Sequence, residues 1–260
     1  MSGFDTRWLD LRERADHAAR DGALLRAAAA YLAAGGEAPL AVDLGSGTGS
    51  TLRAFGSLAE AARWRLVDND PRLLEAAASR LSGFGAVERV EADLTRLSAS
   101  EIEGARLVTA SALFDLASRS FVEELAALLA ERRVALYAAL NYDGAMRWDP
   151  PLPADDEVVA AFNRHQTGDK GFGPALGYGA TEALREAFAR QGFEVRLARS
   201  PWRLGPGDEA LHALFLEGVV AAVAETGAVE PARLADWAAR RRAAGPFCEV
   251  GHWDVLALPR

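Results

Sequence analysis

The sequence predicts an α/β fold: a doubly wound, mostly parallel sheet of seven strands with helical insertions. Three observations carry this. From Leu40 onward, short apolar runs alternate with amphipathic stretches, the pattern of parallel strands covered by helices on both faces. The first apolar run ends in a glycine-rich turn that opens a helix, Ala41-Val42-Asp43-Leu44-Gly45-Ser46-Gly47-Thr48-Gly49-Ser50. After an interruption, the alternation returns near residue 193 and closes on a terminal apolar run, so the C-terminal third belongs to the same sheet.

In chain order, residues 5–34 read as an amphipathic helical leader, a lid rather than a domain. Strands are expected at 40–45, 64–68, 87–91, 105–110 and 133–140, with helices in the intervals. Three helix starts have their own signals. Asp70-Pro71 supplies an N-cap followed by proline at the first helical position, and Ser98-x-x-Glu101 and Ser120-x-x-Glu123 have capping-box spacing. Beyond residue 143, WDPPLP and GDKGFGPALGYG break the rhythm, with a short helix between Asp155 and Arg164; this segment reads as an insertion over the active face. A helix over 181–191, a strand at 193–198, helices at 208–225 and 231–243 and a strand at 253–258 complete the chain. No internal repeat or linker divides it. The 260 residues form one domain: a helical cap (1–37), a ligand-binding core (38–143), the insertion (144–180) and the C-terminal part of the sheet (181–260).

Composition excludes several classes. Half of the residues are hydrophobic and a quarter charged, which argues against disorder. A single cysteine, Cys248, rules out an intramolecular disulfide, and no Cys/His cluster has metal-ligand spacing, so no metal is expected. The N-terminal MSGFDTRWLDLRER has charges where a signal peptide needs apolar residues, and no run is long enough for a membrane span; a soluble, cytoplasmic protein is expected. A net charge of −8 opposes a broad nucleic-acid surface. All basic residues are arginine except Lys170.

In the glycine turn, residues without Cβ let a ligand approach the main chain, and free amides at the helix start favour an anionic group. The spacing separates ligand classes, because a dinucleotide fingerprint needs G-x-G-x-x-G and Ser50 stands where the last glycine belongs. The pattern present is D-x-G-x-G-x-G, from Asp43 to Gly49. Over residues 38–143 the chain resembles the class I S-adenosylmethionine-dependent methyltransferases, whose first motif is an acidic residue followed by such a loop. The resemblance implies S-adenosyl-L-methionine as cofactor, with Gly45, Ser46, Gly47 and Gly49 against its methionine and ribose portions and Asp43 near its amino group. An acid ending the second strand is then expected on the ribose hydroxyls. Of the two in Asp68-Asn69-Asp70-Pro71, Asp70 is better used as the helix cap, leaving Asp68, with Asn69 beside it. By the same resemblance Asp93, followed by Leu94, is placed at the adenine amino group.

The fourth strand runs into Thr109-Ala110-Ser111-Ala112-Leu113-Phe114-Asp115, which the resemblance places beside both cofactor and acceptor: Ser111 toward the cofactor, Phe114 toward the substrate. The [DNS]-P-P-[YFW] motif of amino-methyltransferases acting on nucleic-acid bases and glutamine is absent. Asp115 either orients or deprotonates an acceptor or begins the next helix. Tyr142, ending the fifth strand, is a candidate for the acceptor pocket and its chemistry, whereas Asn141 and Asp143 suit a turn before Gly144. In the insertion His165, the residue type most often used for proton transfer, is a candidate general base, with Lys170 available for an anionic substrate group. Trp148 and Phe172, with Tyr178 and Trp202 nearby, offer flat apolar walls or pack the insertion onto the sheet. In the leader, Trp8 and Arg12 share a helical face, from which Arg12 reaches the cofactor carboxylate. The expected activity is methyl transfer to an O or N atom of a small, planar, polar molecule. The rivals are a cofactor-binding protein with another or no transfer activity, and a nicotinamide-dependent oxidoreductase, which the glycine spacing disfavours.

Overall fold

The computed structural model describes residues 5–260; the first four residues of the N-terminal cap lie outside it. Eight strands form one sheet: β1 (Leu40–Leu44), β2 (Arg63–Asp68), β3 (Val87–Glu91), β4 (Ala105–Ser111), β5 (Ala135–Trp148), β6 (Glu194–Arg199), β7 (Trp202–Leu204) and β8 (Cys248–Leu258). Their order is β3-β2-β1-β4-β5-β8-β6, with β7 on the free stretch of β8. Pairings from β3 to β5 are parallel, and β8 alone runs against the rest. The seven expected strands are all present, and the short β7 is the addition.

The chain leaves β1 toward β2 and β3, then crosses back to place β4 on the other side of β1. Such a reversal opens a crevice at the carboxyl ends of the two central strands. Here those ends are Leu44, leading into the glycine turn, and Ser111.

Nine helices complete the described residues: α1 (Thr6–Ala19), α2 (Gly22–Ala33), α3 (Ser50–Phe55), α4 (Pro71–Arg80), α5 (Arg119–Arg132), α6 (Asp155–Gln166), α7 (Ala180–Arg190), α8 (Glu209–Thr226) and α9 (Pro231–Ala244). The period-two alternation of a strand sorts its side chains between two layers. Along β5, Leu136 and Ala138 join the core beneath α5 and α7, whereas Tyr137 and Ala139 join the core beneath α2, α3 and α4. A third core forms where β5 and β8 run past the rest of the sheet, with Met146, Trp148, Leu216, Trp237 and Val250 inside it. No described helix is long and apolar enough to cross a membrane.

Local signals succeeded where they agreed with burial. Asp70 caps α4 by accepting from Arg72 N at 2.9 Å, with Pro71 in the first turn. Two expectations are corrected. Ser98 and Glu101 do bond as a capping box (2.8 Å from Ser98 N to Glu101), but only turns follow, because Ile102 drops into the core within one residue and the chain must enter β4 at Ala105. At α5 the cap is Ser118, which accepts from Phe121 N at 3.2 Å; Ser120 already lies inside the helix. The insertion also begins later than expected, since residues 144–148 continue β5 against β8.

Candidate functional site

The crevice holds two adjoining cavities whose common wall includes Arg12, Ala112 and Leu116. The larger, about 410 Å³, lies over the glycine turn. Gly45, Gly47 and Gly49 all have positive φ (64°, 53° and 81°), conformations that side chains oppose. A Cβ on Gly45 would sit 3.3 Å from Leu113, and one on Gly47 would sit 3.4 Å from Leu9, so the turn is bare where the cleft and its helical cover approach it.

Asp68 lines this cleft, and the main chain holds its carboxylate in place. One oxygen accepts from Gly47 N at 2.8 Å and the other from Asp70 N at 3.0 Å. Burial raises its pKa, and these two amides oppose the rise. Asn69, Asp93 and Leu94 also line the cleft. Asp93 closes its own turn by accepting from Thr95 N (2.9 Å) and Thr95 Oγ1 (2.8 Å), hydrogen bonds that lower its pKa. Ser111 lines the opposite wall, its Oγ accepting from Arg20 at 3.0 Å. Arg20 itself is buried, and its Nε and Nη1 have no partner.

Asp43 and Ser46 lie beneath the turn instead of on the cleft wall. Asp43 is buried, accepts from Thr109 Oγ1 at 2.6 Å and leaves Oδ2 without a partner. Burial pushes its carboxyl up to about 7. Ser46 is buried with its hydroxyl unpartnered. Gly49 caps α3, and a Cβ there would strike Leu81 at 2.7 Å, so this glycine serves packing.

The smaller cavity, about 170 Å³, opens beyond Ala112. Trp8, Tyr142, Phe162, Trp202 and Phe215 give it aromatic walls, and its polar wall groups include Arg12, Asp115, Gln166 and His252. Two non-glycine residues with positive φ shape it, Ala112 (49°) and Leu140 (58°). Their strain is held by hydrogen bonds from Ala112 N to Ala139 O (3.0 Å) and from Leu140 N to Asp254 Oδ1 (2.9 Å). The reversal at Ala112 turns the chain across the end of β4 and presents Asp115. Its Oδ1 is shut off from water without a hydrogen-bond partner, and burial pushes the carboxyl up to about 6 against the pull of Arg12. Tyr142 donates to Asn163 Oδ1 at 2.8 Å, which ties α6 to β5, and burial raises the phenol's pKa. His252 stands opposite Tyr142 in the β5–β8 register. Burial and the nearby Arg12 push it down to about 3, so it is neutral, and its Nδ1 has no partner.

Several expected residues are elsewhere. His165 lines neither cavity; its ring bonds Glu225 at 2.9 Å and approaches Lys170 Nζ at 3.3 Å, a polar cluster on the outer side of α6. Lys170 is occupied there and also lines neither cavity, while the next residues, Gly171 and Phe172, reach the cleft. Phe114 is fully buried in the core near Phe121, because the turn at Ala112 aims it inward. Trp148 is buried between Trp237 (5.4 Å) and the guanidinium of Arg241 (5.3 Å), inside the third core. Arg12 does face both cavities, but its guanidinium is engaged by Asp16 at 2.8 and 3.2 Å and lies over the ring of Trp202.

Sequence reasoning missed Leu9, Leu113 and Thr95 in the cleft and His252, Phe162 and Phe215 in the cavity. For His252 a signal existed. Val250 and His252 alternate on one face of β8, but a strand taken to start at 253 leaves them outside the pattern.

No protein-family model matches this chain, and no curated protein does. Solved structures do. YcgJ from Bacillus subtilis aligns with a TM-score of 0.53 at 14% identity, covering 92% of this chain and 99% of that one. The candidate methyltransferase BH2331 from Bacillus halodurans C-125 aligns at 0.52 and 14% identity over 92% of this chain and 100% of its own. A chain from the complex of the Haloferax volcanii Trm112 methyltransferase activator with a candidate methyltransferase aligns at 0.50 and 19% identity, over 98% and 95%. At these identities the likeness is one of fold. With its strand order, its reversed penultimate strand in the sheet and its glycine turn at the crevice, the chain has the class I S-adenosylmethionine-dependent methyltransferase fold.

Proposed function

We propose that the protein is an S-adenosylmethionine-dependent methyltransferase acting on an O or N atom of a small molecule. The observation that carries this reading is the pair of joined cavities. One has a bare glycine turn and two strand-end acids; the other is aromatic with an unpartnered carboxylate. The residues of the larger cleft fit the cofactor. Gly45 and Gly47 leave room against the main chain. Asp68 has lone pairs left over from its two amide bonds to accept from a ribose diol, and Asp93, also in the cleft wall, is assigned to the adenine amino group.

When bound, S-adenosylmethionine supplies a methyl group on a sulfonium centre, open to in-line attack. The chain's own part is to position and to exclude water, which can supply much of such an acceleration. Leu9 and Arg12 of α1 line the cleft, and aromatic side chains wall the smaller cavity beside it. Asp115, not His165, stands where it can hold or accept a proton from an acceptor.

Calorimetry with S-adenosylmethionine, S-adenosylhomocysteine and NAD tests the cofactor: the first two should bind and NAD should not. Release of S-adenosylhomocysteine during incubation with small phenolic, heterocyclic, amine and carboxylate compounds tests the activity. Tight binding of NAD alone would sink this reading in favour of an oxidoreductase.

A further inference from the structure

We infer that the 170 Å³ cavity is a binding site for a small organic ammonium ion, held by the Asp115 carboxylate among the rings of Trp8, Tyr142, Phe162, Trp202 and Phe215. Its binding stands apart from the methyltransferase reading; on that reading the ammonium first gives a proton to Asp115, and the free amine's lone pair then forms the N–C bond as the S–CH3 bond breaks and S-adenosylhomocysteine leaves.

Three features of the wall point to a cation. First, of the two charged side chains in the wall, Arg12 and Asp115, the cation has a second partner behind the wall. The positive charge of Arg12 is matched by Asp16, which takes its Nε at 2.8 Å and its Nη2 at 3.2 Å. Asp16 is further fixed by Trp202 Nε1 at 2.9 Å. His252 is neutral and Tyr142 protonated, since burial moves each in that direction. Asp115 is left as the acid of the wall: burial raises its carboxyl, and only its own amide and the shared Arg12 oppose the rise.

Second, no group of the protein hydrogen-bonds Asp115 Oδ1, although the atom is out of reach of water. A buried carboxylate oxygen without a donor is costly, and a ligand bringing N–H donors removes that cost. His252 Nδ1 is also buried and unpartnered, and in the neutral ring it is an acceptor in one tautomer. Asp115 Oδ1 is thus an acceptor that a ligand bearing N–H donors would satisfy.

Third, aromatic faces attract cations; the Arg12 guanidinium already lies over Trp8 (5.8 Å) and Trp202 (5.2 Å), which leaves Tyr142, Phe162 and Phe215 for a ligand. They also accept the hydrocarbon part of an amine. The volume restricts its size, being below the roughly 300–1,000 Å³ of pockets for drug-sized ligands.

Trp8 and Trp202 in the wall make binding visible without cofactor or turnover. Intrinsic tryptophan fluorescence of the full chain is titrated near neutral pH with benzylamine and isobutylamine, and with benzyl alcohol and isobutanol as their neutral counterparts. At least one amine should give a saturable change and bind about tenfold or more tightly than its alcohol, the scale for a hydrogen bond to a charged group. Asp115→Asn, checked for folding by circular dichroism, should abolish that preference. Equal or tighter binding of the alcohol, a preference that survives Asp115→Asn, or no saturable change with either amine overturns the inference. The comparison of amine with alcohol in the unaltered protein stands even if the variant does not fold. Calorimetry with S-adenosylhomocysteine on the same preparation separates the two readings. Amine binding without cofactor binding removes the methyltransferase and leaves the ammonium site, and the reverse result does the opposite.

Discussion

The two cavities share a wall and differ in how their carboxylates are held. In the larger cleft the acids are satisfied by the chain's own groups: Asp68 by the amides of Gly47 and Asp70, Asp93 by Thr95. In the smaller cavity Asp115 Oδ1 and His252 Nδ1 have no partner. An acid held by main-chain amides is preorganised, so its geometry survives whether or not a ligand is present. An acid with one oxygen left without a donor is less completely held, and a ligand can supply the missing hydrogen bond. Losing Asp68 should therefore act on affinity for one partner, while losing Asp115 should act on acceptor chemistry.

The largest expected effect tests this division directly. With an amine acceptor in hand, Asp115→Asn should lower kcat/KM by about 10²-fold or more, the range for losing a general base, while S-adenosylhomocysteine affinity stays within about threefold. Steady-state kinetics and calorimetry check both halves, and a matching loss of cofactor affinity would erase the distinction between the cavities.

The next effect concerns the floor beneath both. Burial holds Asp43 near 7, above its ordinary value of 3.8, so the folded state binds this proton more tightly than the unfolded chain. The stabilising contribution is then present below about pH 4 and is lost as pH rises through about 7, at about 1.4 kcal/mol per unit of displacement. Asp43→Asn should gain on the unaltered protein by about 2–4 kcal/mol between those limits, read by urea unfolding across pH. A constant difference between the two proteins would show that Asp43 is not the titrating group.

Within the cleft, Asp68→Ala should weaken S-adenosylhomocysteine binding by about 1–3 kcal/mol in calorimetry. Asp70→Ala should mainly cost about 1 kcal/mol of stability, because its carboxylate caps α4. An exchange of these two outcomes would reverse the assignment of the ribose acid. The smallest effect is set by position: His165→Ala and Lys170→Ala should leave turnover within about twofold, since neither lines a cavity and His165 pairs with Glu225 on the surface. A loss of about 100-fold in either would bring the insertion's polar cluster back into the site.

The sequence by itself determined the strand order's raw material and the larger cleft. Those features are local: a strand running into a glycine turn, an acid ending the next strand, a proline just inside a helix. The backbone demands of a tight turn at Gly45 and Gly47, and the cap at Asp70, are met within a few residues, so their chemistry is written in short spacings. The smaller cavity was decided by tertiary structure. Its walls come from α1, β5, α6, β7, α8 and β8, segments as far apart as Trp8 and His252, and no spacing joins them. Ser98-x-x-Glu101 shows the same limit in miniature, because its hydrogen bonds form but the burial of Ile102 forbids the helix. The aromatic residues make the point most fully. Trp148, Phe114 and Trp202 are alike as sequence, yet one packs against Arg241, one fills the core beneath the sheet and one faces the cavity. Which face an aromatic presents depends on the turn at Ala112, held by Ala139 O of β5, and on the length of β5, along which the distant strand β8 pairs.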